Sequence, residues 1–113
     1  MSERNGFPID VEELCHRLDA WPYLRVERRT DRAILRVRDV TVGTLHLSTH
    51  TLAVSVPPFR VSAVLQSYAK LRQTGDGVSL HVTDSDSRAT AEALLRWRIN
   101  LERFVPQLGV ASP

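Results

Sequence analysis

Residues 42–56, VGTLHLSTHTLAVSV, alternate with a period of two in two successive arms and restrict the possible folds more than any other stretch of the chain. Leu45 and Leu47 fall on one side against Thr44, His46 and Ser48; Leu52, Val54 and Val56 then alternate with Thr51, Ala53 and Ser55. Such alternation belongs to strands that lay one face on a core. The polar tetrad of residues 48–51 supplies a short antiparallel connection between the arms. A hairpin with one apolar face is not stable alone in water, so the remaining segments must extend the sheet and cover that face.

Taken in order, residues 1–7 have no periodicity and read as a mobile tail. Asp10, followed by Glu13, resembles a capping box, and Val11, Leu14, Cys15 and Leu18 recur on one helical face until Pro22 disfavours helix at Trp21. YLRVERR and RAILRVR, meeting at Thr30 and Asp31, form a first hairpin, with Arg32, Ile34, Arg36 and Arg38 on one face and Ala33, Leu35 and Val37 on the other. The apolar phase shifts at Gly43, which predicts a bulge there. Pro57 and Pro58 open a helix whose buried face is Val61, Val64, Leu65, Tyr68 and Leu71, broken by a glycine-bearing connection over residues 73–77. A strand over Val78 to Val82 follows. The last helix, with candidate N-caps at residues 84–87, runs from about Ser87 to Phe104.

The predicted architecture is therefore one α+β domain over residues 8–106, flanked by flexible tails at 1–7 and 107–113. Its sheet is five-stranded and antiparallel-dominated, a four-strand meander plus one strand, with three helices packed on one face. A length of 113 residues fits one such domain and leaves no room for a second. The composition, 42% hydrophobic and 25% charged, is that of a globular protein rather than a disordered or membrane-embedded one.

No apolar run approaches the roughly 20 residues that span a bilayer, so no membrane association is expected. A lone cysteine closes no intrachain disulfide and fits a reducing, cytoplasmic compartment. Cys15 lies on the apolar stripe of its helix and reads as an inert core thiol. The P-loop, Gly-x-Gly-x-x-Gly, Gly-x-Ser-x-Gly and His-Glu-x-x-His patterns do not occur, and no metal or cofactor is expected.

Candidate site residues fall into two groups. His46 and His81 lie on the polar phases of two strands and so share one sheet face, where two imidazoles suit proton transfer or ligand binding, though their plain reading is surface histidine. Arg98 interrupts the apolar stripe of the last helix between Leu94 and Leu101. It either packs its stem and extends its guanidinium to water or lines a pocket for an anionic ligand. The second group is cationic. Between Arg25 and Arg38 six arginines face Glu27 and Asp31, and Arg25, Arg32, Arg36 and Arg38 are the candidate polyanion contacts. An arginine-rich strand face also serves simply to keep a sheet solvated.

GTLHLSTHTLAVSVPPFRVSAVLQ, then GVSLHV, then ATAEALLRWRINLER together resemble the bacterial luciferase-domain family. In that family a Gly-x-Leu-His strand, a hairpin, a strand ending at proline, a helix, a strand and a Leu-Leu-Arg helix follow in this order. The resemblance implies a compact α+β module of YjbR-like architecture, a type associated in places with DNA, and it implies no particular chemistry for the small bacterial members. Relatives carry a Gly-Asp-Gly turn where this chain has Ser48, Thr49 and His50, and a Trp where it has Gly77.

The leading expectation is a non-enzymatic module that binds a protein partner, or a second copy of itself, through the open sheet face. Two others stand beside it. One is a small enzyme or anion-binding domain with a pocket at Arg98; the other is weak nucleic-acid binding through the Arg25 to Arg38 hairpin.

Overall fold

The computed structural model describes residues 7–104, with side chains from Val11 onward. Helix α1 (Phe7–Asp19) is followed by strands β1 (Arg25–Arg28), β2 (Arg32–Val37), β3 (Val40–His46) and β4 (Thr51–Ser55). A 3-10 turn (Pro58–Arg60) leads into α2 (Val61–Ser67), and the chain closes with β5 (Arg72–Gln73), β6 (Gly77–His81) and α3 (Ser85–Phe104). The strands form one antiparallel sheet in the order β1-β2-β3-β4-β6-β5.

The α+β class and the four-strand meander are as the alternation predicts, but the sheet has six strands instead of five. The added strand is β5, inside the segment expected to be the end of the second helix. That helix stops at Ser67, Tyr68 turns extended (φ −124°, ψ 135°), and Lys70 adopts a left-handed φ of 67°. Helical bonds over residues 68–73 would leave the outer edge of β6 unpaired. Pairing Arg72 with Ser79 and Gln73 with Val78 satisfies that edge, and the tight loop closes with Thr74 N–H donating to Gly77 O at 2.8 Å. At the other end of the chain α1 begins at Phe7, three residues before the expected start at Asp10, whose side chain lies outside the described residues. Of the tails expected at 1–7 and 107–113, Phe7 belongs to α1 instead, and the other residues lie outside those described.

Sheet faces follow from the period-two pattern. Ala33, Leu35, Leu45, Leu52, Val54, Val78 and Leu80 are 3% exposed or less and pack under the helices, whereas Ile34, Thr44, His46, Ala53 and Ser79 on the opposite phase are only half-buried. The helices contribute Val11, Leu14 and Leu18 from α1, Val61 and Val64 from α2, and Ala91, Leu94, Leu95 and Ile99 from α3 to the same core. One sheet face is thus covered and the other open. The bulge lies at the phase shift: Leu35 pairs with Gly43 but Arg36 with Thr41, which leaves Val42 extra and turns both Val42 and Leu45 into the core.

Ion pairs bracket α1. Arg17 holds Glu92 of α3 in a two-point contact at 2.5 and 3.1 Å, and Arg88 of α3 reaches Glu13 at 2.9 Å. Helix α3 itself starts two residues earlier than expected and is capped by Asp84, which accepts the Ser87 N–H at 2.9 Å, while Ser87 Oγ accepts the Asp84 N–H at 3.0 Å. Ser87 donors hold the Asp84 carboxyl below its ordinary value. A carboxylate with a lowered folded pKa stabilises the fold above its unfolded value near 3.9, and loses that contribution as pH falls through the lower, folded value. Asp84→Ala is therefore expected to lower the melting temperature by roughly 5 °C at pH 7. The gap to the wild type should begin to narrow below about pH 4 in circular-dichroism melts and close only as the pH passes the lower, folded value.

No helix among the described residues is long and apolar enough to cross a membrane.

Candidate functional site

Strand register arranges the open face into cross-strand rows. One row runs across all six strands as Glu27, Ile34, Thr44, Ala53, Ser79 and Arg72. The next is Arg32, His46, Thr51 and His81. The two histidines singled out by their strand phase thus share a row, separated by Thr51, whose Oγ1 lies 3.5 Å from His81 Nδ1. They stand on strands two spacings apart, about 10 Å. His46 is half-buried and His81 exposed. Among the described residues no three His, Cys, Asp or Glu side chains gather as a metal site.

The face is cationic. Arg25 and Arg36 are direct cross-strand neighbours, an arrangement that costs stability between like charges. Glu27 relieves part of it, lying 3.0 Å from Arg36 Nε, without hydrogen-bond alignment, and 3.4 Å from Arg29. Arg32 and Arg72 extend the charge across the sheet, so Arg25, Arg32, Arg36 and Arg72 outnumber Glu27 by three. Two arginines of the hairpin leave this face. Arg38 stands in the β2–β3 turn with a left-handed φ of 58°, not on the strand face with Arg32 and Arg36. Arg28, opposite Ala33, turns to the helix side, where it donates to Cys15 Sγ at 3.1 Å and meets Glu12 at 3.4 Å. Burial pushes the Cys15 thiol up, an effect that Arg28 only partly offsets, so the group stays protonated and inert.

Arg98 is 7% exposed and lines none of the clefts described below. Its Nε donates to Ser55 O at 2.7 Å, Nη1 to Glu102 at 2.7 Å and Nη2 to Ser55 Oγ at 3.4 Å. These bonds neutralise the guanidinium inside the fold and tie α3 to the end of β4. A donor set used in this way holds structure and leaves little for a ligand.

Folding also creates concave surfaces that no single segment announces. A cleft of about 570 Å³ lies between the start of β1, the β2–β3 turn and the last turn of α3, with Tyr23, Arg25, Arg38, Arg103 and Phe104 around it. A second, of about 210 Å³, adjoins it through the shared Tyr23 and Arg103 and brings in Trp21 and Arg96. The available signal was the seven-residue spacing of Arg96 and Arg103, which puts both on one side of α3, and the Trp-Pro-Tyr run after α1. At the opposite edge of the sheet Lys70, Arg72, His81 and Asp84 surround a third cleft of about 510 Å³. Compared with known proteins, the chain matches no family model, no curated protein and no solved structure.

Proposed function

We propose that this protein is a non-enzymatic interaction module that binds an acidic protein surface through its open sheet face, in the cytoplasm, as a small member of the luciferase-domain type. The observation that carries this reading is the one-sided sheet, with Arg25, Arg32, Arg36 and Arg72 set against Glu27 around a centre of Ile34, Thr44 and Ala53. Adjacent like charges such as Arg25 and Arg36 are a cost to the free protein that an anionic partner removes. Pairing with a second copy through the same face would set arginines against arginines, so charge favours a different chain as partner.

The test is affinity capture with quantitative mass spectrometry, comparing the wild type with Arg32→Glu/Arg36→Glu, followed by titration of the purified pair. The double reversal is expected to weaken the partner at least about tenfold while leaving the melting temperature within a few degrees, because both side chains are on the solvent side of the sheet. A partner that binds both forms equally, or a stable dimer in light scattering that survives the reversal, overturns the reading.

A further inference from the structure

We propose that the two adjoining clefts at the end of the sheet bind single-stranded nucleic acid, with Trp21, Tyr23 and Phe104 stacking on bases and Arg25, Arg38, Arg96 and Arg103 holding the phosphates. This site goes beyond the sheet-face reading and shares only Arg25 with it.

Charge is the first support. Among the described residues neither cleft is lined by an acidic residue. Arg17, Arg28, Arg29, Arg36, Arg88 and Arg98 each meet a carboxylate. Among the described residues the four cleft arginines do not. Four guanidiniums with no carboxylate partner among the described residues concentrate, on a concave surface, a positive potential that a phosphate chain satisfies.

The aromatic rings are the second. Tyr23 is 59% and Phe104 67% exposed, unusual for rings that have a core available to them. They are organised all the same: the Arg103 guanidinium lies 3.7 Å from the Tyr23 ring centroid and 4.5 Å from that of Phe104, and Arg96 lies 4.6 Å from Trp21. Alternating planar cations and rings are the surface on which unpaired bases stack without regard to sequence. The backbone contributes too. Tyr23 (φ 70°) and Arg38 (φ 58°), which both line the larger cleft, occupy the left-handed region that bulky side chains avoid.

The ligand class follows from these features together. An acidic peptide would use the arginines but not the rings. A duplex hides its base faces, and nothing here projects into a groove. Clefts on either side of the Tyr23–Arg103 ridge suit successive nucleotides of one strand.

The test is fluorescence anisotropy of the full chain with a labelled oligothymidylate of about twelve residues, at salt from about 50 to 200 mM. The single strand is expected to bind with a log–log salt slope between about −2 and −3, near 0.7 per phosphate contact. Arg103→Gln should weaken binding several-fold and flatten the slope by about 0.7. Phe104→Ala, at an exposed ring that the fold does not need, should weaken binding roughly tenfold with the slope unchanged. Arg72→Gln, at the far edge of the sheet, should leave both alone. Several results overturn the proposal: no binding, equal binding of a duplex or of polyglutamate, thymidine monophosphate binding as tightly as the oligomer, or indifference to Phe104→Ala. The sheet-face reading fails or survives separately, on Arg32→Glu/Arg36→Glu.

Discussion

Arg98→Ala is expected to destabilise the protein by about 3–4 kcal/mol, the range for removing one member of a buried ion pair. The change leaves the Ser55 carbonyl without a 2.7 Å donor and strands Glu102, whose side chain is 16% exposed, beside an emptied site. Two further variants separate charge from packing. Arg98→Met keeps most of the stem that fills the stripe between Leu94 and Leu101, and Arg98→Ala/Glu102→Ala removes the stranded carboxylate. Each should recover at least about 1 kcal/mol of the loss, the first by restoring packing and the second by removing the uncompensated charge. Urea unfolding at pH 7 gives all four stabilities. An Arg98→Ala protein as stable as the wild type, or more stable, would show that Arg98 is a strained ligand-binding group and not a structural tie.

Gly77→Ala is expected to cost at least about 3 kcal/mol or to prevent folding, since overpacking against immovable backbone is among the largest single-residue effects. A Cβ at position 77 would overlap the Val54 carbonyl oxygen and lie 2.7 Å from Val56 N and 3.0 Å from Ser55 Cα. All of these atoms belong to the backbone of β4 and the residue after it, so no side-chain rotation relieves the overlap. The β4–β6 pairing must open, and with it the outer two strands lose their anchor. Gly43→Ala meets one close backbone atom, Ala53 O at 2.7 Å, and should cost less. Gly75→Ala finds nothing within 4 Å and should change stability by no more than about 0.5 kcal/mol. Thermal melts of the three variants test the order, and a Gly77→Ala protein that melts with the wild type would break the argument.

How much of this was legible beforehand depends on the range of the interaction involved. The rule that neighbouring strand residues face opposite ways acts within a few residues, so Leu45, Leu52 and Val54 could be assigned to the core and His46 to the open face from the pattern alone. The same rule placed Arg32 and Arg36 together. It failed for Arg38, because the strand ends at Val37 and the turn, rather than the pleat, sets where the next side chain goes. Strand β5 was invisible for a related reason: two residues show no period, and what makes Arg72 and Gln73 extended is the edge of β6 beyond the loop.

Arg98 marks the boundary most clearly. That a charge in the apolar stripe of α3 needed compensation follows from the residues themselves, and Glu102 stands one helical turn away. That the remaining donors close on Ser55 required α3 to cross the end of β4. The arginine–aromatic clefts lie wholly on the far side of this boundary. Trp21, Tyr23, Arg38, Arg96 and Phe104 come from three separated segments, and short-range periodicity carries no information about how such segments meet. By itself the sequence determined the α+β class, the meander and which side of each strand is apolar, since those follow from local backbone geometry and the exclusion of apolar groups from water. Only the tertiary structure decided the edge strand, the ties of Arg98 and the joining of the clefts, because each depends on two distant pieces of chain satisfying one another.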